Sequence, residues 1–152
     1  MAENKNNPMR PLVSYQDILR KGGFAITANL PGDLPATATN YEVFFTAQRP
    51  VEIMEVSETH RVKGTNAGAV TLNLEILDSA EALDSGDAVL TTAFDLKSAN
   101  DTPVSKSDYE LSSFRVLKPG QRLALKDSGT LTDLAGLSVT VYLKFANRGD
   151  FF

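Results

Sequence analysis

Three glutamates spaced three apart, Glu52, Glu55 and Glu58, lie in a stretch of mixed alternation from Val51 to Val62. Carboxylate pairs are what glycoside hydrolysis needs, with the two acids about 5–10 Å apart. On a strand, successive side chains point to opposite faces, so Glu52 and Glu58 are expected to share a face and Glu55 to take the other. No aromatic-rich cleft pattern accompanies them, and the chain has no tryptophan. They read as solvent-facing charges that discourage edge-to-edge strand pairing. The single histidine, His60, rules out a site built on two imidazoles, and no Gly-x-Ser-x-Gly elbow supplies a serine nucleophile. It reads as a surface residue.

A second acidic group, Asp78, Glu81, Asp84 and Asp87, recurs every third residue. Hard cations want several carboxylate oxygens, but the spacing matches no calcium loop, and a solvated acidic loop is the expectation. Gly64-Thr65-Asn66-Ala67-Gly68 lacks the Gly-Lys-Ser/Thr ending of a phosphate loop and reads as a turn. Asn100-Asp101-Thr102 and Arg148-Gly149-Asp150 are short matches to a glycosylation site and an adhesion tripeptide, and both read as chance. The absence of cysteine removes disulfides, thiol catalysis and thiolate metal sites. The expectation is of no catalytic, cofactor or metal residue.

The elements behind these residues are strands. Ala135 to Phe145 alternates cleanly: Leu137, Val139, Val141, Leu143 and Phe145 fall on one face, and Ser138, Thr140, Tyr142 and Lys144 on the other. A second clean strand runs from Ala69 to Leu77. Phe24–Leu30, Tyr41–Thr46 and Arg122–Lys126 are shorter strands. Val89–Leu96 reads as extended, and Val104–Val116 holds at least one strand, with Tyr109, Leu111 and Phe114 as core contributors. In Val51–Val62, Ile53 leads one face while Met54, Val56 and Val62 mark the other, a switch that a bulge or register change would explain. Pro31–Pro35, Lys63–Gly68, Leu117–Gln121 and Asp127–Gly129 are turns or loops. Pro119-Gly120 presets a type II turn. Asp78–Asp87 is a connection. Short strands divided by turns, with no long helical pattern, predict an all-β antiparallel sandwich or jelly-roll-like barrel.

Residues 1–23 read as an N-terminal arm and 24–152 as one β-sandwich domain. In the arm, Ser14 is a helix N-cap with Asp17 three residues on, Val13 can staple on Ile18, and Gly22-Gly23 stops the short helix. A helix this short needs a surface to dock on. Met9, Arg10, Leu12, Tyr15, Ile18 and Leu19 in the arm, with Phe151 and Phe152 at the other end, are the candidate partner contacts. They would cover the domain's own core or dock on a neighbouring subunit. The formal net charge is −4, which points to neither nucleic acid nor an anionic membrane as partner. No apolar run approaches the roughly 20 residues of a membrane-spanning helix. Met1 to Pro8 is polar and is read as no secretory signal.

Three segments carry a resemblance: Ala88–Leu96, Leu117–Leu125 and Gly129–Val141. Over roughly residues 40–145 the pattern resembles small virion structural proteins of tailed bacteriophages. It is most similar to head decoration (cement) proteins and related capsid-associated β-sandwich proteins. The resemblance implies a non-enzymatic protein without cofactor, made in the host cytoplasm and placed on the capsid surface in many copies. Its implied partners are the major capsid protein and itself, as a homotrimer at three-fold and quasi-three-fold positions. The alternative is a receptor- or carbohydrate-binding β module of a tail or fibre. A small hydrolase using the strand glutamates is the third reading.

Overall fold

The computed structural model describes residues 22–33 and 43–146. Residues 1–21 of the arm with its helix, Tyr41, and the eight candidate partner contacts lie outside the described residues, and Gly23 already belongs to the first strand. Among the described residues, ten strands run in chain order: β1 (Gly23–Asp33), β2 (Val43–Thr46), β3 (Val51–Val62), β4 (Thr71–Leu77), β5 (Asp87–Ala88), β6 (Phe94–Asp95), β7 (Val104–Ser107), β8 (Val116–Leu117), β9 (Arg122–Ser128) and β10 (Ala135–Phe145). They form two antiparallel sheets. One is ordered β1-β10-β3-β7, with β8 also on β3; the other is ordered β2-β9-β4-β5, with β6 also on β4. This is the all-β fold expected, of β-sandwich or jelly-roll type.

The inner faces supply the core. Leu137, Val139, Val141 and Leu143 of β10 are buried, as their alternation predicts, and meet Leu72, Leu74, Leu123 and Leu125 of the other sheet in one apolar cluster. Full burial of each such side chain stabilises the fold by about 1.5–3 kcal/mol. β3 reaches the same core through a bulge. Tyr142 pairs with Glu55 but Leu143 pairs with Ile53, so Met54 is an extra residue in β3. Val51 and Ile53 face the core before it; Val56, Glu58 and His60 face the core after it. The register change was legible in the alternation, but Val56 lies on the face of Ile53, not opposite it.

At one side the two sheets are zipped together. Their outer strands are each broken in two, β5/β6 in one sheet and β7/β8 in the other. Leu90 and Leu111, in the two breaks, form an antiparallel bridge. The Thr91 N–H donates to the Glu110 carbonyl (2.9 Å), and the Ser112 N–H to the Val89 carbonyl (2.7 Å). Asn73 repairs the break between β5 and β6. Its Oδ1 accepts from the backbone N–H of Leu74 (2.7 Å) and Leu90 (2.9 Å), and its Nδ2 donates to the Leu90 carbonyl (3.0 Å). A side-chain amide has the same donor and acceptor as a peptide, so it can stand in for the missing rung.

The Lys118–Gln121 turn forms as predicted: the Gln121 N–H donates to the Lys118 carbonyl at 3.0 Å, and Gly120 takes φ 89°. Gly129, at φ 94°, closes β9, and a Cβ there would collide with the Ala69 carbonyl. Three expectations are corrected. Pro31-Gly32-Asp33 continues β1 through an irregularity in its pairing, instead of leaving the sheet. β9 runs on to Ser128, because Asp127 and Ser128 pair with Leu72 and Thr71. Tyr109 and Phe114 are not core residues: a 3-10 turn at Asp108–Glu110 breaks the alternation and leaves them 89% and 53% exposed, while Leu111 is buried as expected.

Asn73→Ala should lower unfolding stability by about 1–3 kcal/mol, because it leaves the part-buried groups of Leu90 without their partners. Urea denaturation checks this; an unchanged midpoint would show that the amide does not hold the broken edge.

Candidate functional site

The one histidine and one of the strand glutamates meet inside the fold. Glu58 and His60 are each 1% exposed, since the bulge at Met54 turns both inward. Histidine Nδ1 lies 2.7 Å from Glu58 Oε1, and Nε2 lies 3.1 Å from the Ser98 carbonyl oxygen. A carbonyl only accepts, so Nε2 carries a hydrogen and donates it. One proton is then held between Nδ1 and the carboxylate. The backbone reinforces the contact: the Asp101 N–H donates to the His60 carbonyl at 2.8 Å, and the Lys63 N–H to Asn100 Oδ1 at 2.8 Å. The pair therefore fastens the crossover from β6 to β7 onto β3.

Glu58 Oε2 and Ser98 Oγ are buried without a protein partner. Both residues line a cavity of about 230 Å³ with Asp95 and Lys106 on its wall. Burial pushes the Glu58 carboxyl above its ordinary value; the His60 hydrogen bond and charge oppose this, and Asp95 adds to it. Both imidazole nitrogens are engaged, so the arrangement clamps Ser98 to β3.

The surface reading of His60 and the solvent-facing reading of Glu58 are thus overturned. Glu52 and Glu58 also do not share a face, because the extra residue between them reverses the alternation. Glu52 faces outward, with Arg115 Nε at 3.2 Å from one oxygen and Lys144 Nζ at 3.1 Å from the other. Glu55 is exposed.

The acidic group from Asp78 to Asp87 fastens a loop. Its anchor is Glu75, a residue that alternation places on the outer face but that is fully buried. The Asp84 N–H donates to its Oε1 (2.8 Å) and the Gly86 N–H to its Oε2 (3.0 Å). Gln121 Nε2 donates to Asp78 Oδ1 at 2.9 Å, the Arg122 guanidinium donates to the Asp78 and Glu81 carbonyls, and Lys126 pairs with Asp84 at 3.2 Å. Among the described residues, no three His, Asp or Glu side chains converge as a metal ion would need. No helix among them is long and apolar enough to cross a membrane.

Two surface features remain. Gly23 pairs with Lys144, so the first described strand begins beside the end of the last. Beside it, Phe24, Phe45, Val51 and Phe145 line an apolar hollow of about 490 Å³, with Phe24 5.3 Å from Phe145 and 6.3 Å from Phe45 between ring centres. At the zipped side, Tyr109 and Phe114 stand out beside a polar cleft of about 580 Å³ that includes Glu52, Arg115 and Lys144.

No protein-family model matches the sequence, and no curated protein matches it. Solved structures do. A chain of the capsid of Ralstonia phage GP4 overlays with a TM-score of 0.56 at 10% identity, over 82% of this chain and 86% of that one. A chain of the cyanophage Pam1 capsid asymmetric unit gives 0.44 at 10% identity, over 82% and 84%. A chain of the disulfide-linked pili of Bacillus endospore appendages gives 0.38 at 13% identity, over 82% and 88%. The first is a likeness of fold; the other two are looser overlays.

The raised affinity of Glu58 for a proton has a defined sign. Between the ordinary glutamate value of 4.5 and the higher value in the fold, the folded chain holds a proton that the unfolded chain has lost. The cost of burying this carboxylate is absent below that window and fully present above it. Relative to Glu58→Gln, the wild type should therefore lose stability as pH rises from about 4 to 7. Urea denaturation of both proteins across that range measures it; a difference that is flat or grows in the wild type's favour would contradict the assignment.

Proposed function

We propose that the chain is a non-enzymatic structural protein of a phage virion. In this reading it decorates the capsid surface as a homotrimer, binds the major capsid protein and stabilises the shell. The observation that carries it is the fold shared with a chain of the Ralstonia phage GP4 capsid, over most of both chains. The side-chain chemistry supports it. Glu58, His60, Glu75 and Asp78 are engaged in holding loops to strands.

The contacts to the shell are assigned to the arm residues Met9, Arg10, Leu12, Tyr15, Ile18 and Leu19, to Phe151 and Phe152, and to one face of the sandwich. Both terminal segments leave the sandwich from the place where Gly23 meets Lys144, so they can act on the same neighbour. Many copies on one shell then add avidity.

The purified chain should sediment as a trimer and co-sediment with phage heads that lack it. Deleting residues 1–21, all before β1, should abolish the co-sedimentation while leaving the β-rich circular dichroism spectrum and its thermal transition in place. A monomer that never binds heads would contradict the proposal, and undiminished binding by the deletion would remove the arm from it.

A further inference from the structure

The corner between β7 and β8 is a preformed display. Asp108 takes φ 52°, a conformation that costs a non-glycine residue free energy and recurs where a segment is held for a purpose. The turn it opens points Tyr109 outward, and Phe114 follows on the far side of buried Leu111.

The segment is tied at both ends. The Ser107 N–H donates to Glu110 Oε2 at 3.2 Å, the Thr91 hydroxyl to the Glu110 carbonyl at 3.0 Å, and the Ser112 hydroxyl to the Ala88 carbonyl at 2.6 Å. The Phe114 N–H donates to Ser112 Oγ at 3.1 Å, and the Ile53 N–H to the Arg115 carbonyl at 2.8 Å. Exposed aromatics on a fixed backbone lose little freedom on binding. Arg115 follows Phe114 in the chain and its guanidinium reaches back to the Asp108 carbonyl, at the start of the turn that carries Tyr109; Tyr and Arg are among the residue types that dominate protein interfaces.

The charge in the cleft beside the corner says what it fits. Asp108 and Glu110 flank Tyr109, and Lys106 lies 3.9 Å from Glu110. Within the cleft, Arg115 and Lys144 share one carboxylate, Glu52, so two cations face one anion there. The Arg115 guanidinium spends Nε on Glu52 and makes one long contact, 3.4 Å, from Nη1 to the Asp108 carbonyl. A guanidinium carries five N–H donors, so it has donors to spare for a second carboxylate.

We infer that Tyr109, Phe114 and Arg115 form the sandwich's docking surface for a protein partner presenting an aspartate or glutamate next to an apolar side chain. The inference rests on the capsid reading above and names the face of the sandwich that meets the shell protein. Direct pairing of Arg115 with the partner's carboxylate orients the contact, and the two rings exclude water from it.

The test uses the full chain and phage heads that lack it. Tyr109→Ala/Phe114→Ala and Arg115→Glu should each weaken co-sedimentation about tenfold or more. Arg115→Glu should also flatten the fall of binding with salt. Lys126→Glu, on the other sheet, should bind as the wild type does. Thermal unfolding of each variant is read alongside; because both aromatics are exposed, the double variant should melt as the wild type does. If the wild type binds heads and the double variant binds equally well, this surface is wrong while the capsid reading stands. If the wild type binds no heads, the capsid reading fails. Loss of binding to an array of glycans in the double variant, without loss of binding to heads, would assign the corner to a sugar and overturn the inference.

Discussion

One extra residue in β3, Met54, decides which side chains of the longest strand among the described residues are wet. A strand alternates with a period of two, so a single inserted residue reverses every face beyond it. Before Met54 the core receives Val51 and Ile53; after it the core receives Val56, Glu58 and His60. Without the insertion, continuing the face of Val51 and Ile53 would bury Glu55, Ser57 and Thr59 in their place. The bulge is therefore what places a glutamate and a histidine side by side in the interior. It also leaves Glu52 on the outside, where two cations meet it.

The rest of the sandwich follows from how its edges are treated. On one side the outer strands are short and broken, and the Leu90–Leu111 bridge joins the breaks across the two sheets. Asn73 supplies a peptide-like rung, while Glu58 and His60 fasten the crossover beyond it. Short, covered edges do not recruit other strands. On the other side β1 pairs only with β10 among the described residues, and Phe24, Phe45 and Phe145 line a hollow next to the place where β1 begins beside the end of β10. One side is locked and carries a rigid aromatic display; the other adjoins both terminal segments.

Much of the fold was legible. β10 was plain because its five inward positions are all apolar and its partner β1 leaves the outer face polar or small. The Lys118–Gln121 turn was plain because Pro119 and Gly120 each prefer the dihedral that a type II turn requires. Even the bulge showed as broken alternation between Ile53 and Val56. Its consequence did not show: which face each residue takes beyond a bulge depends on the pairing with β10, not on β3 alone. From β3 alone, Glu58 and His60 therefore look like surface residues. Tyr109 and Phe114 look like core because aromatics within strand-like stretches usually are; the turn at Asp108 needs a left-handed residue that no glycine announces. Glu75 was hidden by the assumption that one face of β4 is wet, whereas its carboxylate anchors the loop that follows. The candidate partner contacts lie outside the described residues, so the site legible in the sandwich is the corner that the alternation concealed.

The sandwich is a two-sheet domain whose buried polar side chains hold its own loops, and in the proposed reading its exposed Tyr109 and Phe114 serve assembly. A cryo-electron microscopy map of the particle that carries the chain tests this most directly. It should place the sandwich on the outer surface of the shell, with the Tyr109–Arg115 corner packed against a shell subunit and a carboxylate of that subunit beside Arg115. A map with the domain on the tail, or with that corner facing solvent, would contradict it.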